Sequence, residues 1–233
     1  MQDASSVELA PSTLPVLDIR PLARLLMVVL GYIPLLHCVL VGACIAAPVV
    51  GWWPLWTLCF APAALLLLPP LMARLASGRG EGTFEIGSAV YFRWWFCAQW
   101  QVVFNRLPFI EETIRLVPGL YSTWLRLWGA RLGALIYWSP GCVVLDRQLV
   151  EIGGQTVLGA GARLHPHLIA RGSDGVTRLV LAPIRIGEGA LIGGLSVLTA
   201  GNEIGAGEMT PATKALPPFS IWRNGKRVRG TNG

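Results

Sequence analysis

An aliphatic residue returns at every sixth position in the C-terminal third of this 233-residue chain. One run consists of Ile186, Ile192, Leu198 and Ile204, and an earlier run of Ile152, Leu158 and Leu164. Most of these residues are followed directly by glycine. A period of six fits neither an α-helix nor an isolated strand, whose side chains alternate with a period of two. It predicts a β-solenoid, in which each aliphatic side chain points into a three-sided prism and three hexads complete one coil.

A long uncharged apolar segment precedes the repeats. Residues 25–73 include no Asp, Glu, Lys or Arg, in a chain that is 53% hydrophobic and 14% charged. A helix crosses a bilayer core of about 30 Å with about 20 apolar residues, so two spans fit. Gly51 and Pro54 bracket two tryptophans and predict the turn between them. We therefore expect a cytoplasmic tail over 1–24 and a two-helix transmembrane hairpin over 25–75; a buried hairpin in a soluble core is the alternative.

The charges that flank this segment predict its orientation. Arg20 and Arg24 lie around the start of the first span, Arg74 and Arg79 follow the second, and the turn is uncharged. By the positive-inside rule, both ends face the cytoplasm. We expect a multi-pass protein of the inner (cytoplasmic) membrane, in contact with membrane lipid, with its C-terminal domain in the cytoplasm.

Residues 76–140 are rich in aromatic residues and arginine. This mixture at helical spacing is typical of helices that lie in the membrane interface. A helical cap packed on the first coil of the solenoid is an equally good interpretation, and the two are compatible. The solenoid, with a basic tail, is expected over 141–233.

Cysteine usage and net charge give weaker indications. The five cysteines form no CxxC pair, so neither a disulfide scaffold nor a zinc site is expected. The net charge of +6 comes largely from the tail. Anionic lipid, a phosphate-bearing cofactor or plain solvation would each account for it. Nucleic acid is not expected as a partner, because no nucleic-acid-binding motif accompanies the charge.

Several segments resemble the hexapeptide-repeat acyltransferases, a left-handed β-helix family. These segments are 143–146 (Val-Val-Leu-Asp), 150–153 (Val-Glu-Ile-Gly), 183–187 (Pro-Ile-Arg-Ile-Gly), 192–194, 204–207 and 214–221. Residues 121–133, 149–153 and 162–168 most resemble the membrane-bound terminal domain of poly-lysine synthetase-like nonribosomal peptide synthetases. The resemblance implies a mainly β protein: a left-handed parallel β-helix with an N-terminal transmembrane hairpin and interfacial helices. About three coils leave large apolar faces uncovered, so we expect a homotrimer.

The resemblance also implies acyl transfer with a histidine as general base. Imidazole, with an unperturbed pKa near 6.5, suits that role at neutral pH. The candidates are His165 and His167, and His167 matches the terminal-domain branch better. The sugar acetyltransferases of the family have their histidine where this chain has Ile169. Asp146 matches an acidic residue near the acceptor and would orient a histidine, bind the nucleophile or cap a turn.

The same resemblance implies where the acyl donor, an acyl-coenzyme A, would bind. The pantetheine arm would lie along Gly193, Gly194 and Ser196, and the nucleotide phosphates would contact Lys214, Arg227 and Arg229. No metal is expected. The zinc hydratases that share this fold need three imidazoles, and this chain has three histidines in all, one of them in the apolar segment.

Together these features predict a membrane-anchored acyltransferase that moves an acyl group from a thioester to a hydroxyl or amine. The acceptor would be a small molecule or a lipid-linked compound. Two alternatives remain: an amide-bond-forming condensation domain, with a carrier protein as partner, and a non-catalytic trimeric scaffold.

Overall fold

A computed structural model describes residues 20–76, 80–172 and 174–229. The expected tail over 1–19 and the flanking Arg79 lie outside the described residues. The described chain is mixed α/β rather than mainly β, because helices dominate it as far as residue 128.

The apolar segment forms helices that fold back on each other. They are α1 (Pro21–Leu30), α2 (Ile33–Val49), a 3₁₀ turn (Leu55–Cys59), α3 (Phe60–Leu66) and α4 (Leu68–Ala76). Helix α2 packs against α3, and His37 Nε2 is 3.0 Å from the carbonyl oxygen of Ala64. The chain bends by 41° between α3 and α4. Pro69 and Pro70 follow this break, and proline disfavours helical geometry in the residue before it.

One stretch of the described chain is long and apolar enough to cross a membrane. It is Pro21–Val49, whose most apolar 18 residues have a mean hydropathy of 2.3. The bent pair Leu55–Leu66 and Leu68–Ala76 passes the same test only if its two helices count as one span. Only 6% of the first stretch's most apolar window is buried inside the chain, whereas a core helix of a soluble protein would be mostly buried.

The aromatic region forms a strand and three helices: β1 (Gly82–Glu85), α5 (Ala89–Arg106), α6 (Pro108–Arg115) and α7 (Leu120–Trp128). Ser88 caps α5 by accepting a hydrogen bond from Tyr91 N at 3.2 Å, as the N-cap preference for serine predicts. Pro108 begins α6, and Gly119, with φ of +79°, precedes α7.

Many aromatic side chains of this region point inwards. Phe104, Tyr121, Trp124 and Trp128 are each at most 3% exposed and share one core with Val144 and Leu158 of the coil. Exposed apolar side chains of the region lie at the two ends of α6 and on α7: Leu107, Phe109, Leu116, Val117, Leu120 and Leu127. Helix α7 is also joined to the apolar helices, because Trp124 Nε1 donates to Leu66 O at 2.8 Å.

The rest of the chain is a run of short strands. They are β2 (Arg131–Leu132), β3 (Tyr137–Trp138), β4 (Val143–Val144), β5 (Val150–Ile152), β6 (Val157–Leu158), β7 (Arg163–His165), β8 (His167–Arg171), β9 (Thr177–Leu181), β10 (Ile184–Ile186), β11 (Leu191–Ile192), β12 (Val197–Thr199), β13 (Glu203–Ile204), β14 (Met209–Thr210), β15 (Ser220–Arg223) and β16 (Lys226–Arg229). From β2 to β7, and again from β10 to β14, successive strands join three parallel sheets in turn. In register, Ile152 lies beside Ile186, Leu158 beside Ile192 and Leu164 beside Leu198. The side chains that repeat every six residues therefore stack in three columns inside a three-sided coil.

The coil begins ten residues earlier than the predicted boundary at residue 141. Strand β2 pairs with β5 and strand β3 with β6, so 131–138 belong to the first coil. Leu132, Trp138 and Val144 are again six residues apart and lie beside Ile152, Leu158 and Leu164. Eight residues separate Val144 from Ile152, because the 3₁₀ turn Arg147–Leu149 interrupts the spacing. Trp138 obscured the pattern because it is not aliphatic.

The break in the repeat near residues 171–175 is an excursion from the coil. Strands β8 and β9 form an antiparallel pair in which His167 lies opposite Leu181. Strand β1 extends this pair on the far side of β9. The excursion thus connects the coil to the chain segment that leads into α5.

Candidate active site

Asp146 is buried at the point where the first coil turns towards its next strand. It has φ of +42°, in the left-handed region, and is followed by a 3₁₀ turn, Arg147–Leu149. Aspartate tolerates this region better than most residues. The residue is 4% exposed, so both of its carboxylate oxygens need partners inside the protein.

Both oxygens have such a partner. Oδ1 accepts a hydrogen bond from Trp94 Nε1 at 2.7 Å, and Oδ2 is hydrogen-bonded to His167 Nδ1. The ring of Trp94 also meets the His167 ring edge to face, with 5.0 Å between centroids. The structure thus brings together two residues predicted for the site, Asp146 and His167, and adds one that was not predicted, Trp94.

His167 begins β8, where the chain leaves the coil, and its side chain is 27% exposed. Burial lowers the pKa of this imidazole, but the hydrogen bond to Asp146 and the charge of that carboxylate raise it, and the net pKa lies above the ordinary value. A carboxylate can only accept, so the neutral ring carries its proton on Nδ1. Nε2 is then free to act as a base.

His165 lies two residues earlier, on β7, with its backbone paired to Thr199 of β12. Burial lowers the pKa of this imidazole, and the positive charges of His167 and Arg163 lower it further. Among the described residues, no hydrogen bond or ion pair joins the His165 side chain to Asp146. The two candidate histidines are therefore close in sequence but differ in their partners.

A buried ionic network holds the residue after Asp146. Arg147 is 1% exposed; its guanidinium donates to Glu111 Oε1 and, at 2.8 Å, to Gln101 Oε1. The backbone N–H of Arg147 also donates to Gln101 Oε1, at 3.1 Å. The guanidinium carbon lies 5.5–5.7 Å from the ring centroids of Phe104, Trp124 and Trp128. Helices α5, α6 and α7 thereby fix the backbone that carries Asp146.

The residues predicted to bind the pantetheine arm form hydrogen bonds to other residues of the coil. Gly193 N donates to Thr210 Oγ1 at 3.1 Å, and Gly194 O accepts from Thr213 N at 2.7 Å. Ser196 is 1% exposed, and its hydroxyl donates to Pro211 O at 3.0 Å. The predicted arm would therefore contact the coil surface around these residues rather than the Ser196 hydroxyl.

The three basic residues predicted for the nucleotide lie late in the chain. Lys214 follows β14 and is exposed, and so is Arg227 of β16, whose backbone pairs with Trp222. Arg229 ends the same strand opposite Ser220, and the structure describes only its backbone. No hydrogen bond or ion pair in the described part of the chain connects Lys214 or Arg227 to Asp146 or His167.

A groove of about 510 Å³ runs beside the excursion from the coil. Its lining includes Glu81, Val180, Leu181 and Phe219. Leu181 is the residue that lies opposite His167 in the strand pair, so the groove adjoins the backbone that carries the histidine. Across the described ranges, no group of three His, Cys, Asp or Glu side chains could hold a metal ion.

No protein-family description matches this chain, and neither does any curated protein. Its fold is similar to that of several solved structures. A maltose O-acetyltransferase from Clostridium difficile 630 is 15% identical, with a TM-score of 0.29, over 55% of this chain and 86% of that one. A hexapeptide-repeat acetyltransferase from Vibrio cholerae is 15% identical, with a TM-score of 0.35, over 57% and 93%. A galactoside acetyltransferase in complex with coenzyme A is 14% identical, with a TM-score of 0.31, over 55% and 82%.

These neighbours are acetyltransferases, and the Vibrio cholerae protein has also been solved with acetyl-coenzyme A. The matched part corresponds to little more than half of this chain.

Proposed function

We propose that this chain is a membrane-anchored acyltransferase that transfers an acyl group from acyl-coenzyme A to a hydroxyl or amine. The observation that supports this most is the hydrogen bond between Asp146 and His167. A buried carboxylate that orients a partly exposed imidazole is a recurring arrangement for a general base.

The chemistry balances with these two residues. Nε2 of His167 takes the proton from the acceptor as its oxygen or nitrogen bonds to the thioester carbonyl carbon. The carbon–sulfur bond then breaks, and the sulfur leaves with the proton that His167 had taken. Asp146 stabilises the imidazolium that forms between the two steps. A base so positioned contributes about 10²- to 10⁴-fold to the rate.

The coil itself supports the proposal that this chain is a hexapeptide-repeat acyltransferase. A three-sided parallel coil with one aliphatic residue per hexad is the architecture expected of a left-handed β-helix, and its handedness is part of the proposal. The bound donor would follow Gly193 and Gly194, with its phosphates near Lys214, Arg227 and Arg229. A carrier protein presenting an acyl thioester, as in a condensation domain, is the alternative donor.

A homotrimer is the expected assembly. One sheet carries outward-facing Tyr137, Val157, Leu191 and Met209 in a single column, and Tyr137 and Met209 are each more than 60% exposed. An apolar column on a strand face is a surface that another copy would cover.

The apolar helices are proposed to anchor the chain in the inner membrane as a multi-pass hairpin, with the coil in the cytoplasm. Their large exposed aliphatic surface supports this proposal. A lipid-linked acceptor would then meet the enzyme in the plane of the bilayer.

The test uses the full chain in lipid nanodiscs with radiolabelled acetyl-coenzyme A. A lipid extract and a water-soluble extract of the expressing cells serve as separate acceptor pools. We expect transfer, with loss of at least about 100-fold in His167→Ala and a much smaller loss in His165→Ala. Full activity of His167→Ala would exclude His167 as the base. Transfer from an acyl carrier protein but not from coenzyme A would favour the condensation domain. A wild-type trimer inactive with both donors would favour the scaffold.

A further inference from the structure

The carboxylate of Asp146 is held by a residue from outside the coil. Trp94 lies on α5, 52 residues before Asp146 in sequence, and its indole N–H donates to Oδ1 at 2.7 Å. Trp94 is 8% exposed. Water is therefore largely excluded from this hydrogen bond, which makes it stronger than the same bond at a surface.

An indole N–H can only donate, so Oδ1 of Asp146 is the acceptor of this hydrogen bond. Oδ2 is left to accept from the histidine. Without this donor the carboxylate would be free to rotate, and one of its oxygens would be buried without a partner. An unpartnered buried oxygen destabilises this orientation of the carboxylate, and more so when it is charged. Rotation of the Asp146 carboxylate would remove the acceptor that faces Nδ1.

The same side chain also limits the movement of the imidazole. The Trp94 ring packs edge to face on His167, with an interplanar angle of 62°. One residue therefore touches both members of the pair, through a hydrogen bond to one and through ring packing on the other.

Trp94 is itself packed against two aromatic neighbours on α5. Its ring lies 5.7 Å from that of Tyr91 and 6.0 Å from that of Trp95. Trp95 Nε1 donates to Met27 O at 3.3 Å, so this aromatic cluster is anchored to α1 of the apolar segment.

We propose that Trp94 is a positioning residue whose indole N–H fixes Asp146, so that neutral His167 carries its proton on Nδ1 and presents Nε2 as the base. The consequence for rate rests on the proposed acyltransferase function. The consequence for the proton position does not, because it can be measured without substrate.

The variant Trp94→Phe removes the donor and keeps an aromatic ring. Trp95→Phe is the matched control, since it removes a neighbouring indole N–H that donates to Met27 instead of Asp146. A second variant incorporates 3-benzothienylalanine at position 94. This residue keeps the shape of the indole and has sulfur in place of the N–H. It therefore separates the effect of losing the hydrogen bond from the effect of losing ring packing.

The readout is the ¹⁵N chemical shifts of the His167 ring in the full chain in nanodiscs, with neutral imidazole. The signals are assigned with His165→Gln and His37→Gln. In the wild type and Trp95→Phe we expect the proton on Nδ1. In both position-94 variants we expect the share of the Nε2–H tautomer to rise, because the Asp146 carboxylate is no longer held in one orientation. The proposal is overturned if the wild type is mainly Nε2–H, or if the benzothienyl variant keeps the wild-type share of the Nδ1–H form.

Transfer activity supplies the second readout. We expect kcat to fall by roughly 10- to 100-fold in the position-94 variants, the equivalent of one hydrogen bond to a charged group, with KM changed less than about twofold. If the position-94 variants lose the Nδ1–H form while the wild type keeps it but shows no transfer, the positioning role is supported and the acyltransferase proposal is weakened. Full activity of the benzothienyl variant would overturn the positioning role and leave that proposal standing.

Discussion

His165 and His167 are two residues apart, yet the pKa values of their imidazoles move in opposite directions. His167 is hydrogen-bonded to Asp146, which raises its pKa against the effect of burial. In the described part of the chain no carboxylate is hydrogen-bonded to the His165 side chain, so burial and nearby positive charges outweigh the charge of Asp146 and lower the pKa of His165. Groups whose environments separate their pKa values in this way often take different roles in a site.

The rate of transfer should therefore depend on pH through His167. A general base must be neutral, and the pKa of His167 lies above the ordinary value of 6.5. We expect kcat/KM to rise with pH and to reach its plateau only above that value. Asp146→Asn removes the charge that raises the pKa, so burial dominates and the rise should move below pH 6.5. The plateau should also fall by about 10- to 100-fold, because the imidazolium loses its counter-ion.

A pH–rate profile of wild type and Asp146→Asn checks this. His165→Gln is the control, and in this variant the rise of kcat/KM should still have its midpoint above pH 6.5. If kcat/KM of Asp146→Asn rose at the same pH as in the wild type, the rise could not be assigned to His167.

Two glycines at the same corner of the coil, Gly187 and Gly205, should differ in how much they contribute to stability. A Cβ on Gly187 would lie 2.4 Å from the backbone nitrogen of Ala206, in the turn stacked on it. A Cβ on Gly205, the equivalent position one coil later, would lie 3.0 Å from the Cγ of Glu208 and no closer than 3.5 Å to the backbone of the next turn. Gly187→Ala should lower the free energy of unfolding by about 3 kcal/mol, and Gly205→Ala by less than about 1 kcal/mol.

Thermal unfolding of the two variants in the same detergent measures the difference. Equal losses would mean that the turns are not stacked as described. Since neither glycine has positive φ, the comparison isolates the close approach of two backbones from backbone strain.

The coil could be predicted from sequence because its repeat is local. Ile186, Ile192 and Leu198 recur at the six-residue spacing of a three-sided coil, and Leu132 and Val144 follow the same spacing in the first coil. The spacing contains no information on how the helices dock, and the contact between Trp94 and Asp146 depends on that docking. The pair Asp146 and His167 was suggested only by the family resemblance.

The aromatic region illustrates the limit of composition. Tryptophan with arginine predicted helices in the membrane interface or a helical cap on the first coil, and Trp124 and Trp128 are buried and face the guanidinium of Arg147, as they would in a cap. Aromatic residues and arginine stack equally well in a protein interior, so the same composition fits both locations. Only the burial of each side chain distinguishes them.

The Arg147 network should contribute strongly to stability. Arg147→Ala leaves Glu111 without one of its buried partners and opens a cavity among three aromatic rings. We expect the free energy of unfolding to fall by about 3–5 kcal/mol. Arg131→Ala is the control. It breaks the ion pair with Glu151, in which the Arg131 side chain is 65% exposed, and should cost less than about 1 kcal/mol. Similar values for the two variants, from equilibrium unfolding, would show that burial of Arg147 contributes little.

The apolar helices should enter the membrane, and a charge on their exposed face should oppose this. Val39 lies on α2, away from both helix ends, and is 59% exposed. An arginine at the centre of a spanning helix costs about 2.5–3.5 kcal/mol of insertion free energy. We therefore expect wild type to remain in the membrane fraction after alkaline carbonate washing, and Val39→Arg to be partly released or degraded. Val228→Arg, which adds the same charge at a 47% exposed position on β16, should behave like wild type. Release of the wild type by carbonate would mean that the apolar helices are bound at the membrane surface through charge. If Val39→Arg stayed in the membrane fraction as firmly as the wild type, Val39 would not face lipid.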